Sequence, residues 1–209
     1  MMTIIIATRN KGKITEFTRL LAGRGFALIP AGPDLPEAPE TSDRYEENAA
    51  AKALAAAAAF HQPAVSDDSG LAVAALDGAP GVRSSRFFGP GLSDREKYER
   101  LLALLDSVGD GRRAARFICA AALALPDGRY WVRRGEVEGE ILRAPRGAGG
   151  FGYDPVFWVP DFACSFAELT PEQKEQVSHR GRALRALLPI IDAVANGQPP
   201  PEDRTITGS

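Results

Sequence analysis

The chain has 209 residues, 44% hydrophobic and 25% charged, the balance of a globular protein with a real core, built as one large domain or one domain with two lobes. With 25 basic against 27 acidic residues the formal charge is −2, so no global basic field exists to hold a nucleic-acid backbone, and any bound anion must be held by local cations. Cys119 and Cys164 lie far apart with no ligand spacing, and no stretch approaches the roughly 20 apolar residues of a membrane span, so a soluble cytoplasmic protein without membrane contact is expected.

Thr3 to Ala7 is a β-branched run that reads as a buried strand, and Ile14, Phe17, Leu20 and Leu21 repeat at helical spacing before a stop at Gly23 and Gly25. Phe26 to Ile29 reads as a second strand, followed by a proline-rich loop from Pro30 to Pro39. A helix is predicted from near Asp43, with Glu46 completing a capping box, through the alanines to Phe60, where His61 looks like a cap. Pro63 to Ser66 reads as a short strand ending at Asp67-Asp68-Ser69-Gly70. Ser93 and Glu96 cap a third helix with the stripe Tyr98, Leu101, Leu102 and Leu105. Arg116 to Leu125 and Arg129 to Leu142 are two strands turning at Asp127-Gly128, and Pro155 to Val159 is another strand. Thr170-Pro171-Glu172-Gln173 opens the last helix. The tail from Gly197 to Ser209 carries three consecutive prolines and is expected to be disordered, leaving 1–196 as the folded domain. This order, strands and helices first alternating and then interrupted by a hairpin block, indicates an α/β protein with a mixed sheet.

Five constellations could carry chemistry. Thr8-Arg9-Asn10-Lys11-Gly12-Lys13 sits between a buried strand and a helix start, where backbone N–H groups and the helix dipole favour an anion. Three cations add charge and Gly12 permits an unusual turn, yet the spacing is not that of a Walker loop, and a plain basic loop fits equally well. Asp67-Asp68-Ser69-Gly70 offers two carboxylates, one for a hard cation and one to position water or ligand, with Glu40 as a possible partner; an ordinary turn has the same composition. Asn48 and Lys52 share one face of the alanine helix. Gly147 to Pro155 contains the spacing of a dinucleotide loop but leads into Asp-Pro and a strand, so it reads instead as a glycine loop presenting Phe151 and Tyr153 to a nucleobase. Lys174 and His179 can face one site if the helix breaks near Ser178. No nucleophile constellation is present, and metal-assisted phosphoryl chemistry fits these groups best.

Six segments, ATRNKGK, EENAAAKA, DDSGLAV, GAPGVRSSR, GGFGYDPVF and SHRG, occur in one order from Ile4 to about Leu188. Together they resemble the inosine/xanthosine triphosphate pyrophosphatase family, enzymes that clear irregular purine nucleotides. The resemblance implies an elongated mixed β-sheet flanked by helices, in two lobes with a central cleft, and usually a homodimer. It implies magnesium-dependent cleavage between the α and β phosphorus atoms of inosine or xanthosine triphosphate, giving a monophosphate and pyrophosphate. Residue by residue, Thr8, Arg9, Asn10, Lys11, Gly12 and Lys13 would hold the triphosphate. Asp68 would bind magnesium and act as general base, with Glu40 as second metal ligand. Lys52, Ser69 and Lys174 would contact the nucleotide, while Phe151, Gly152, Tyr153 and Asp154 would cover the base. His179 and Arg180 would read the purine 6-oxo edge, which accepts hydrogen bonds where adenine donates them. Arg9 stands where many members of that family have a small or polar residue. A pyrimidine-directed pyrophosphatase and a non-catalytic nucleotide-binding module are the competing readings.

Overall fold

A computed structural model describes residues 2–200; the expected disordered tail falls largely outside them. The seven strands are β1 (Met2–Ile6), β2 (Phe26–Pro30), β3 (Ala64–Val73), β4 (Ala114–Ala124), β5 (Tyr130–Ile141), β6 (Phe157–Val159) and β7 (Cys164–Ser165). They form a single mixed sheet in the order β2-β1-β3-β4-β5-β6-β7, as expected for an α/β protein. Pairing is parallel from β1 to both β2 and β3, and antiparallel from β5 through β6 to β7. The helices are α1 (Lys11–Leu20), α2 (Tyr45–Phe60), α3 (Asp94–Leu104), α4 (Pro171–Val177) and α5 (His179–Ala195).

The chain divides into two compact units, one of residues 2–68, 119–135 and 180–200, the other of residues 69–118 and 136–179. Each has its own apolar centre. In the first, Ile4 and Ile6 of β1, Phe17 and Leu21 from α1, and Leu184, Leu187 and Ile191 of α5 are fully buried together. In the second, Leu71, Leu101, Phe117, Phe157 and Phe166 form the cluster. Burial of such side chains is worth about 1.5–3 kcal/mol each, enough to override weak local preferences.

Several boundaries differ from the sequence reading for identifiable reasons. Asp67-Asp68-Ser69-Gly70 does not end a strand; it lies inside the ten-residue β3. Gly70 serves close approach rather than turning, since a Cβ there would meet the Gly81 carbonyl oxygen at 2.1 Å and Ser84 Oγ at 2.7 Å. At the start of α2 the expected Asp43–Glu46 box is absent: Arg44 is the cap residue and makes no side-chain cap. Ser42 does the work instead, its N–H and C=O both bonded by Asn48 and its hydroxyl donating to Glu47, while Glu46 pairs with Arg134. Gly12 is not a special turn but part of the first turn of α1, without a positive φ. The single last helix is two, because Ser178 adopts an extended ψ of 154° between α4 and α5. The strand expected from Pro155 begins at Phe157, after a 3-10 turn over Asp154–Val156. The Ser93–Glu96 capping box, the Leu125–Arg129 turn and the His61 cap, with φ 51°, occur where the sequence placed them.

Candidate active site

In the first unit the site grows from β3. Successive strand residues alternate faces, so Asp67 and Asp68 point to opposite sides of the sheet and meet different helices. Asp67 is fully buried and accepts from Arg180 Nε at 3.0 Å and Nη2 at 2.8 Å, while Lys13 Nζ lies 3.0 Å from its other oxygen. Burial alone would raise its carboxyl, but the charges of Arg180, Lys13 and Lys52 outweigh this and hold it well below the usual carboxylate range. Arg180 also pairs with Glu16 of α1. The nearby Cys119 thiol is pushed far up by burial and by Asp67, so it is inert as a nucleophile.

Asp68 faces α2. Its Oδ2 accepts from Asn48 Nδ2 at 3.0 Å and its Oδ1 from Lys52 Nζ at 3.3 Å, and the same ammonium donates to Glu40 Oε1 at 2.7 Å. Burial and the Glu40 charge raise the Asp68 carboxyl above its ordinary value against the pull of Lys52 and Asn48. Lys52 is desolvated too, but Asp68, Asp67 and Glu40 keep its ammonium protonated, with the pKa raised. The spacing of Asn48 and Lys52 on α2 thus delivers both to one carboxylate.

Thr8 and Asn10 shape the start of α1: Thr8 Oγ1 accepts the Asn10 N–H at 3.2 Å, and Asn10 Oδ1 caps the Lys13 N–H at 3.0 Å. Lys11, Gly12 and Lys13 then form the first turn, where peptide N–H groups favour an anion. Arg9 does not join them; its guanidinium donates to the Leu35 carbonyl in the proline-rich loop.

In the second unit the glycine loop is folded around Asp154. This buried carboxylate accepts the Phe151 N–H at 2.7 Å and Lys174 Nζ at 2.6 Å. Gly150, at φ +71°, is required because a Cβ would lie 2.1 Å from Asp154 Oδ2. Lys174 Nζ stands 4.8 Å from the centre of the half-buried Phe151 ring. Tyr153 is a core residue rather than a presented ring; its hydroxyl donates to the Ser84 carbonyl at 3.0 Å, and burial pushes it up to about 12, so it stays neutral. Gly152 donates to Asp94 at 2.7 Å. His179 is buried, stacked on Phe117 with centroids 4.7 Å apart. Ser69 is partly exposed on β3. The break at Ser178 does occur, between Lys174 of α4 and His179 at the start of α5; His179 lies in the second unit's aromatic stack and Arg180 in the first unit's ion pairs.

Sequence reasoning missed Glu16 and Asp94, which lie in none of the six segments, and Ser84, which lies in GAPGVRSSR but was given no role, and it left Asp67 without a specific partner. Among the described residues no three His, Cys, Asp or Glu side chains converge as a metal-ligand set. One or two carboxylates suffice for a hard divalent ion that completes its shell with phosphate oxygens and water, so the Asp68–Glu40 pair fits one.

Residues 4–190 match the Ham1 family. The chain belongs to that family. It is 48% identical to a dITP/XTP pyrophosphatase of Symbiobacterium thermophilum over 191 residues, 91% of this chain and 95% of that protein. A Gloeobacter violaceus protein of the same description is 52% identical over 188 residues, covering 90% and 93%. Among solved structures, the HAM1 protein from Coxiella burnetii superposes with a TM-score of 0.81 at 40% identity, covering 94% of this chain and all of that one. The Staphylococcus aureus Ham1 protein gives 0.78 at 38% identity, covering 93% and 98%. The family indicated by the six sequence segments and the one found by comparison agree.

Proposed function

We propose that the protein hydrolyses irregular purine nucleoside triphosphates, inosine or deoxyinosine and xanthosine triphosphates, to the monophosphate and pyrophosphate, clearing them from the nucleotide pool. The observation that carries this reading is Asp68, a buried carboxylate with a raised pKa, held by Asn48 and Lys52 beside Glu40. A base for water is most effective when its pKa moves toward the working pH. Water adds to the α-phosphorus, its proton passes to Asp68, and the bond to the bridging oxygen breaks to release pyrophosphate. Magnesium is the inferred cofactor, bound by Asp68 and Glu40, where it would neutralise phosphate charge and polarise phosphoryl oxygens.

Thr8, Asn10, Lys11, Gly12 and Lys13 hold the triphosphate through first-turn N–H groups and ammonium charge, with Arg9 at the edge of that grip. Lys52, Ser69 and Lys174 contact the nucleotide. The Phe151–Asp154 loop takes the base, with Phe151 the aromatic face, and His179 and Arg180 favour a 6-oxo purine over adenine. Guanine shares the 6-oxo group, so its exclusion falls to its 2-amino group. Residues 1–196 act as one catalytic domain, and the chain works as a cytoplasmic homodimer, the usual form implied by the motifs. Among the described residues no helix is long and apolar enough to cross a membrane. The test is a nucleotide panel assayed for pyrophosphate with and without magnesium. Inosine and xanthosine triphosphates should be turned over and ATP much less; release of orthophosphate, or equal turnover of ATP, would overturn the reading.

A further inference from the structure

Besides backbone bonds such as the Gly149 N–H to the Ala167 carbonyl at 3.1 Å, three side-chain ties that differ in exposure hold the glycine loop of the second unit. Two are buried: the Tyr153 hydroxyl on the Ser84 carbonyl, and Asp154 gathering the Phe151 N–H and Lys174. The third is open to solvent. Asp94, the first residue of α3 after the Ser93 cap, accepts the Gly152 N–H on Oδ2 at 2.7 Å. Its other oxygen faces Lys97 Nζ at 3.6 Å, and its side chain is 48% exposed. An acid in the first turn also suits the helix dipole, so this position holds a carboxylate without strain.

The loop needs such a tie at its tip. Glycines at 147, 149, 150 and 152 give it more backbone freedom than any other residue type would, and Gly152 itself sits at φ +62°. The buried ties fix residues 153 and 154 and the 151 amide, and the Phe151 carbonyl accepts the Asp154 N–H at 3.2 Å, whereas the N–H of the peptide leading from Phe151 into Gly152 is held by Asp94. We propose that Asp94 is a positioning residue for nucleobase binding, pinning the Gly152 amide so that the Phe151 ring keeps its place beside Lys174. This rests on the reading above that the loop takes the base. Asp94 touches no reacting atom; it acts through the loop and so governs how well the base is held, not how fast the anhydride is cleaved.

Asp94→Ala removes the acceptor, while Asp94→Asn keeps an oxygen for the Gly152 N–H and serves as the conservative rescue. Amide hydrogen exchange over residues 147–154 reads the tie directly, without reference to activity. Inorganic tripolyphosphate, which has no base, serves as a competing probe of the phosphate grip. For Asp94→Ala, exchange in the loop should quicken about tenfold and KM for inosine triphosphate rise about fivefold, the scale of one lost hydrogen bond to a charged group. The kcat value and inhibition by tripolyphosphate should not move, and Asp94→Asn should stay near the parent on every measure. Unchanged loop exchange in Asp94→Ala would overturn the proposal and leave the proposed reaction standing. Faster exchange with an unmoved KM would overturn the loop's assignment to the base and the positioning role with it. A parent protein that releases no pyrophosphate would sink the reaction itself, which the exchange measurement does not touch.

Discussion

Replacing Asp67 with asparagine isolates the buried ion pair beneath the first turn of α1. The Asp67 side chain has no solvent exposure, and that of Arg180 only 2%. The carboxylate accepts two guanidinium hydrogen bonds, at 3.0 and 2.8 Å, and faces Lys13 at 3.0 Å. Removing one partner of a buried pair costs about 3–5 kcal/mol, because the remaining charge keeps its desolvation penalty. The amide oxygen can still accept from Arg180, which pairs with Glu16 as well, but the new N–H₂ group faces a cation. The expected loss at neutral pH is therefore near the lower end, about 3 kcal/mol. Acidification supplies an independent check. The folded-state pKa of Asp67 is depressed, so below the unfolded aspartate value of about 3.9 the unfolded chain binds the proton that the folded chain refuses. The stabilisation is complete above that value and fades as pH falls toward the folded-state pKa. Urea titrations of parent and variant across the acid range should show a gap that narrows below about pH 4. A gap under about 1 kcal/mol at neutral pH, or one that widens on acidification, would refute the ion-pair account.

Asp68→Asn keeps shape and the Asn48 and Lys52 neighbours but cannot take a proton; kcat should fall by about 10²–10⁴ with the circular dichroism spectrum unchanged, and near-normal turnover would remove Asp68 from the base role. Gly70→Ala sets a Cβ 2.1 Å from the Gly81 carbonyl oxygen, which as backbone cannot step aside; thermal unfolding should report a loss of about 3 kcal/mol, and an unchanged melting temperature would contradict the close approach. Arg113 is buried and donates to the carbonyls of Leu105, Ile141 and Leu142 at 2.6 to 2.8 Å; Arg113→Met should cost about 3 kcal/mol in urea denaturation, and an unmoved midpoint would count against these bonds holding the end of α3.

The parts legible in the chain were those written in local code. Ser93 and Glu96 announce α3 because a capping box satisfies nearby amides whatever lies elsewhere. The four-residue spacing of Asn48 and Lys52 survives into the site because a helix converts that spacing into one face. Asp67-Asp68-Ser69-Gly70 was misplaced because turns and strand interiors can use the same residues, and only the approach of Gly81 and Ser84 shows why a glycine stands in mid-strand. Tyr153 and Arg180 carry no label telling a ligand contact from a buried structural contact; Ser84, Asp67 and Glu16, at 69, 113 and 164 residues' separation, supply their present partners.

By itself, then, the sequence determined the mixed α/β character, the starts of α3 and α4 and the six ordered segments that carry the family, since each depends on neighbours within a turn or a strand. Tertiary structure alone decided which acid faces which cation. Strand alternation sends Asp67 and Asp68 to opposite faces, and partners from distant helices then hold one carboxyl ionised and raise the pKa of the other. Charge in a buried place depends on what the fold brings within a few ångströms, and chain order does not encode that distance.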